Sequence, residues 1–352
     1  MDHIMKLFIG TYGKHWYSVD YSNNEFSNLE RFEGQDHSCI CVKDGIPYSI
    51  SENTEAGPCY LTPVKGTDLF ISSNFGDGSV DLIRFMKDCS LERKEPEPHF
   101  LQKLQFTGDG PVKERGRQIH SRIHQVLEFP LKGVFPDSDG AYFIATDFGA
   151  DRIRIIKLVD GRLEHCRNLD LKAPAGSGPR HLVFNVKEKL MYCLCELSNE
   201  LLVFSFRDSV TGIVQRIDTS GLGIDGTFTE GPAAGDLKIH PDGRWLYATR
   251  RLVNDGILVF KIKDNGLLEF SSFKASGKHP RMIHISSHAN LEGEDIMFAA
   301  CKDSGIQVFS LCSSQGTGYI GKQTAKLTLP GEDSPVWVQP AEISAEQFRA
   351  HI

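Results

Sequence analysis

A segment of roughly 50 residues repeats along this chain, and a period of that length constrains the fold more than any other feature, because a single such module cannot bury its own apolar face. In each copy a short apolar strand leads to a turn, and a second strand carries an aromatic residue with a polar residue four positions later. A third strand then ends in Phe or another apolar residue. The clearest copy runs from Ala234-Gly235-Asp236-Leu237-Lys238-Ile239-His240 through the turn Pro241-Asp242-Gly243 to Trp245-Leu246-Tyr247-Ala248-Thr249-Arg250-Arg251, and on to Ile257-Leu258-Val259-Phe260. Further copies start at Gly178-Pro179-Arg180-His181, at His279-Pro280-Arg281, and near Gly57-Pro58, Ile123-His124 and His37-Ser38. The aromatic-plus-four positions are Tyr48/Glu52, Phe70/Asn74, Phe143/Asp147, Tyr192/Glu196, Tyr247/Arg251 and Phe298/Lys302. The last four polar residues are separated by 49, 55 and 51 residues, the spacing of four-stranded propeller blades with their loops.

Short strands of period-two alternation with Gly/Asp turns fill nearly the whole chain, and only Ala345–Ala350 offers a helical turn. The expected fold is therefore all-β, a seven-bladed β-propeller forming a single domain over residues 1–352. Six copies supply six blades. The seventh is expected to combine the N-terminal Leu7-Phe8-Ile9-Gly10-Thr11-Tyr12 with the C-terminal Pro335-Val336-Trp337-Val338, closing the ring and removing exposed edges. The step from Glu52 to Asn74 is only 22 residues, so the blade beside that closure is expected to be truncated to about two strands. The step from Asn74 to Asp147 is 73 residues, leaving room for a functional loop around Thr107–Pro111 and Lys113–Arg115.

Composition limits what such a fold binds. With 39 Lys+Arg against 46 Asp+Glu, the net charge of −7 argues against a nucleic-acid partner. No apolar run approaches the ~18 residues needed to cross a bilayer, and the N-terminus enters a strand directly, so neither membrane span nor signal peptide is expected. Nine cysteines without a CxxC spacing read as reduced, buried thiols in a cytoplasmic protein, and a zinc site from Cys193, Cys195 and a nearby His has little support.

In a propeller, residues at strand ends converge on the mouth of a central channel. The six polar positions are never apolar and vary in sign: Glu52, Asp147 and Glu196 against Arg251 and Lys302. The first strands add Arg180 and Arg281, each after a Pro, and His124 at the corresponding place. A shared site with several cations and a few carboxylates suits a polyhydroxylated anion, since Arg forks clamp phosphate or carboxylate while carboxylates accept sugar hydroxyls. Salt-bridged structural pegs are the plainer reading of the same residues.

At these residues the sequence resembles the seven-bladed propeller lactonases, a family that includes propeller-type 6-phosphogluconolactonases and carboxy-muconate lactonizing enzymes. The stretches that carry the resemblance are Phe8–Tyr12, Ala145–Arg152, Gly178–His181, Tyr192–Glu196 and Pro241–Arg251. The resemblance implies a catalytic set of His124, Arg180, Glu196 and Arg251, brought into one cavity, with Asp147, His181, Arg281 and Lys302 as further substrate contacts. Arg250 competes with Arg251 by adjacency, and register with Tyr247 favours Arg251. Where family members commonly show Pro-His-x-His, this chain reads Ser121-Arg122-Ile123-His124, and Gly13-Lys14-His15-Trp16-Tyr17 also departs from the family.

The implied activity is metal-independent and cofactor-independent hydrolysis of an anionic sugar lactone, 6-phosphogluconolactone to 6-phosphogluconate in carbohydrate metabolism. Glu196 or His124 would serve as base, and Arg180 and Arg251 as oxyanion or anion contacts. The alternatives are lactonizing cycloisomerisation of a muconate-type dicarboxylate, a calcium-dependent gluconolactonase using Glu52, Asn74, Asp147 and Glu196, and a non-catalytic carbohydrate-binding or scaffold propeller.

Overall fold

The structure, a computed structural model, describes residues 4–85, 98–108, 116–136, 140–207, 210–223, 231, 233–287, 294–312 and 318–341. The expected loop residues Asp109–Arg115 and the helical turn Ala345–Ala350 lie outside them. The described elements are strands apart from one 3-10 turn at Arg167–Leu169.

The strands form seven sheets, numbered here in chain order. Sheet 1 joins Met5–Tyr12, His15–Ser22 and Glu25–Glu33 to Ser334–Pro340, which pairs with Met5–Tyr12 antiparallel (Ile9 opposite Val338). Sheet 2 has the two strands Cys39–Lys43 and Ile46–Ile50, the truncation expected from the short Glu52–Asn74 step. Sheet 3 contains Pro58–Pro63, Leu69–Asn74, Ser79–Phe85 and Pro98–Gln105. Sheet 4 contains Ile123–Glu128, Ala141–Asp147, Arg152–Val159 and Arg162–His165, with Leu171–Lys172 as a short fifth strand. Sheet 5 contains Pro179–Asn185, Leu190–Cys195, Glu200–Arg207 and Val210–Asp218. Sheet 6 contains Ala234–Ile239, Trp245–Arg250, Gly256–Ile262 and Leu268–Ala275. Sheet 7 contains Pro280–Ser286, Asp295–Cys301, Gly305–Cys312 and Tyr319–Leu327.

Turn chemistry explains the tight hairpins. Asp44-Gly45 (φ 53° and 76°) and Asp160-Gly161 (φ 50° and 72°) supply the two successive positive φ angles of a two-residue turn whose twist matches the flanking strands. Asn23-Asn24 does the same in sheet 1, at φ 53° and 64°.

By contacts the chain divides into two compact units, Glu52–Arg180 and the remainder, Met1–Ser51 with His181–Ile352. In the first, sheets 3 and 4 pack face to face through Ile71, Val80, Leu82, Ile123, Val126, Phe143, Ala145 and Ile156. In the second, Tyr192, Val203, Leu246 and Phe260 join sheets 5 and 6, while Tyr247, Val259, Ile283 and Met297 join sheets 6 and 7. Alternation along each central strand sends successive side chains to the two neighbouring sheets, so Leu246 and Tyr247 serve different interfaces. Each fully buried side chain of this size contributes about 1.5–3 kcal/mol.

Candidate active site

The first strand of five sheets begins with the same irregularity. In sheet 4, Ile123 lies opposite Asp147 and Gln125 opposite Thr146, so His124 is an extra residue that the neighbouring strand does not match. Cys59 takes that place in sheet 3, Arg281 in sheet 7 and Val336 in sheet 1, and sheet 6 has its extra residue between Ala234 and Leu237. A bulge re-aims the side chain it carries, and bulges of this kind cluster beside functional sites. His124 and Arg281 therefore share a structural position, and in both sheets the sequence reading had marked the residue without knowing its geometry.

The aromatic-plus-four positions divide into two sets. In sheets 3 and 4 the plus-four residues Asn74 and Asp147 lie opposite Pro58 and Ile123, directly ahead of the bulge. In sheets 6 and 7 that place belongs to the plus-three residues Arg250 and Cys301, opposite Ala234 and Pro280, and Arg251 and Lys302 fall one residue beyond. A shift of one residue reverses the direction of a strand side chain. Asn74 accordingly bonds within its own sheet to Ser72, Ser79 and Asp81, each at 2.9 Å.

Asp147, expected as a substrate contact, is fully buried and its carboxylate is engaged on both oxygens. Oδ1 accepts the backbone N–H groups of Arg122 and Ala150 at 2.9 and 3.1 Å; Oδ2 accepts the Ser121 hydroxyl at 2.7 Å and the Arg154 guanidinium at 2.9–3.0 Å. It is a tie that anchors the segment before His124. His181, another expected contact, is likewise buried and meets Asp236 at 2.7 Å through Nδ1. Burial alone would raise the Asp236 carboxyl, but Lys238 and His181 outweigh it and hold the group well below the usual carboxylate range. Neither residue presents an open polar face to a substrate, and both read as structural pegs.

Within Glu52–Arg180, His124 and Arg180 are both buried and in direct contact, Arg180 Nη1 on His124 Nε2. An arginine only donates, so Nε2 is the acceptor in this contact. The imidazole also meets the edge of Phe75 at 5.6 Å, and Arg122 lies 5.1 Å from the same ring. The Thr146 hydroxyl donates to the Arg180 carbonyl at 2.7 Å, fixing the backbone that carries the guanidinium.

Within the other unit, Glu196 and Arg251 form a buried ion pair, Oε2 to Nη2 at 2.6 Å. Arg251 Nε donates to the Ala234 carbonyl at 3.2 Å, and Nη1 lies 3.5 Å from His279 Nε2. Arg281 and Lys302 stand 4.8 and 5.8 Å from the ring centre of Tyr12, itself four residues after Phe8. Burial, with Arg251, Arg281 and Lys302 nearby, pulls the His279 pKa down to about 4 against the opposing pull of Asp303. Arg251, Arg281 and Lys302 all bear on His279, and against the carboxylates of Glu196 and Asp303 they leave a cationic surplus suited to an anionic ligand. Tyr12 and His279 were missed by the sequence reading. Tyr12 could have been found by extending the aromatic register to Phe8, whereas His279 carried no residue-type signal.

Arg250, the rival of Arg251, is 1% exposed and donates to the carbonyls of Thr219, Leu222 and Asn254. Among the described residues no group of three His, Cys, Asp or Glu side chains is arranged to hold a metal ion. Asn74, Asp147 and Glu196, three of the four hard ligands expected for a calcium site, are committed to the partners already named. Cys39, Cys41, Cys59, Cys166, Cys193, Cys195 and Cys301 are free thiols, and Cys193 and Cys195 are buried. No described helix is long and apolar enough to cross a membrane.

Residues 14–340 match the family model described as Lactonase, 7-bladed beta-propeller. The chain belongs to that family. Its fold is an all-β propeller, in which the described sheets supply six blades of four strands or more and one of two. Among characterised relatives, the chain is 29% identical over 277 residues to the 6-phosphogluconolactonase of Bacillus subtilis, covering 77% of this chain and 68% of that protein. An uncharacterized Staphylococcus aureus protein is 30% identical over 276 residues, covering 77% of this chain and 70% of its own. A solved Bacteroides uniformis structure, provisionally assigned as a 6-phosphogluconolactonase, aligns with a TM-score of 0.73 at 25% identity over 96% of this chain and 99% of its own. The periplasmic gluconolactonase of Pseudomonas aeruginosa aligns with a TM-score of 0.76 at 20% identity, over 97% and 100%, a likeness of fold.

Proposed function

We propose that this lactonase-family chain hydrolyses a sugar lactone that bears an anionic group, opening 6-phosphogluconolactone to 6-phosphogluconate without a metal. The observation that carries the reading is the buried Glu196–Arg251 pair with Arg281 and Lys302 close by around Tyr12. Ester opening needs a base for the attacking water and a cationic or hydrogen-bonding partner for the oxyanion that develops on the carbonyl. Glu196 takes the water proton, and Arg251, the guanidinium fixed beside it, meets the oxyanion. The ring oxygen leaves as the tetrahedral intermediate collapses and takes up a proton, and the acid formed ionises with release of one proton. Arg281 and Lys302 hold the phosphate. The family resemblance adds His124 as the alternative base and Arg180 as a second anion contact. The name of the Bacillus subtilis relative supports the phosphorylated substrate.

The test is proton release from freshly made 6-phosphogluconolactone, read above its spontaneous opening, beside unphosphorylated gluconolactone and muconate-type acids. We expect acceleration by the wild-type chain, with the phosphorylated lactone preferred. Glu196→Gln and Arg180→Ala should each lose about a hundredfold while remaining folded by circular dichroism. No acceleration on any lactone, or variants as active as wild type, overturns the reading. Turnover of muconate-type acids alone would transfer the arginines to carboxylate binding.

A further inference from the structure

Immediately ahead of the first strand, sheets 3 and 5 place Gly57 and Gly178 in the left-handed region, at φ 54° and 62°, each followed by a proline. Sheet 7 adopts the same backbone with His279 at φ 61°, followed by Pro280. A side chain with a Cβ is disfavoured in that region, and the following proline restricts the residue further. Strain of this kind persists where the surroundings enforce it and clusters at functional sites. Here the backbone is held on both sides: His279 N–H donates to Asp255 Oδ1 at 2.7 Å, and its carbonyl accepts from the Lys302 N–H at 2.9 Å.

The strained residue carries its imidazole to the Glu196–Arg251 pair. Nε2 lies 3.5 Å from Arg251 Nη1, while Nδ1 lies 3.6 Å from Asp303 Oδ2. Arg251 is thereby met at three places: by the Glu196 carboxylate on Nη2, the Ala234 carbonyl on Nε, and His279 on Nη1. We infer that His279 is a positioning residue for Arg251, a neutral acceptor held by a left-handed backbone so that the guanidinium keeps its orientation toward the substrate. A neutral acceptor suits the place, since a carboxylate there would cancel the cationic surplus and a protonated imidazole would repel Arg251. This inference rests on the hydrolytic reading for what Arg251 does, but not for how its side chain is held.

The experiment compares His279→Gly and His279→Asn with wild type. Glycine is the residue sheets 3 and 5 use here, so the Gly variant should fold with an unfolding midpoint equal to or above wild type. Its kcat should fall about tenfold or more with KM little changed, as expected when a catalytic group is slightly misplaced. Asn tolerates the left-handed region and offers an amide oxygen as acceptor, so it should recover most of the loss. Crystal structures of both variants give a readout independent of turnover: Arg251 should leave the Ala234 carbonyl in the Gly variant and keep it in the Asn variant. Wild-type kinetics in the Gly variant, or a guanidinium unmoved in its crystal structure, overturns the inference. A wild-type chain without lactonase activity would defeat the hydrolytic reading, and the crystal structures would still decide the role of His279.

Discussion

Arg250 and Arg251 are consecutive in sequence and serve different ends. The Arg250 guanidinium donates to the carbonyls of Thr219 and Leu222 at 3.1 and 2.8 Å and lies 4.9 Å from the Phe273 ring, tying the end of sheet 5 to sheet 6. Arg251 is paired with Glu196 and reaches His279. Hydrogen bonds from a charged donor to buried carbonyls contribute about 1.5–3 kcal/mol each. Arg250→Met should therefore lower stability by about 3 kcal/mol in urea unfolding, while the protein that remains folded keeps its turnover. Arg251→Lys should show the reverse, because lysine retains the charge but loses the planar fork. We expect it to lose less stability than Arg250→Met, since the charge beside Glu196 is kept, and its lactone turnover to fall about a hundredfold. Equal losses of stability in the two variants would contradict the division of labour.

At the scale of the element, the deciding feature is the start of each first strand. In sheets 3 and 7 a left-handed residue turns the chain in, and one unmatched residue follows two positions later. At Gly57 a Cβ would meet the Gly76 backbone nitrogen at 3.0 Å, so space and conformation both oppose a side chain there. Gly57→Ala should cost about 1–2 kcal/mol from the left-handed backbone alone, read as a lower urea midpoint. Asp160-Gly161 is the contrasting case, since a Cβ at Gly161 meets nothing within 4 Å and only its φ of 72° resists substitution. Gly161→Asn, which tolerates that conformation, should cost less than Gly57→Ala. A smaller loss at Gly57 than at Gly161 would show that the strand starts yield more easily than their packing implies.

For the molecule as a whole, the buried titratable groups set its response to acid. Burial and nearby cations pull His279 to about 4, and burial with Lys238 nearby pulls His284 to about 4. An unfolded histidine titrates at about 6.5, so between that value and about 4 the unfolded chain takes up protons that the folded chain refuses. Stability should therefore fall as pH drops through this window. A second loss should follow below about 3.9, where unfolded aspartates protonate while Asp236, held low by Lys238 and His181, does not. Urea unfolding at pH 7, 5 and 3 reads both stages, and His284→Gln should flatten the first. A midpoint that does not change between pH 7 and 5 would contradict the neutral state assigned to the two histidines.

Residue types and their spacing were enough to reveal the repeat, the all-β class and the two-strand sheet. These follow from short-range chemistry: alternation, Asp-Gly turns, and a period too short for an independent core. The side to which each polar residue turns was a different matter. Asn74 and Asp147 share the aromatic-plus-four spacing with Arg251 and Lys302, yet they occupy the register place of Arg250 and Cys301 and are enclosed within their own sheets. Register belongs to a pair of strands, and the number of residues from the aromatic to the end of the pairing, four in sheets 3 and 4 but three in sheets 6 and 7, has no amino-acid signature of its own. His279 escaped notice for the same reason, since a histidine where related segments carry glycine gains meaning only once the backbone turns it onto Arg251.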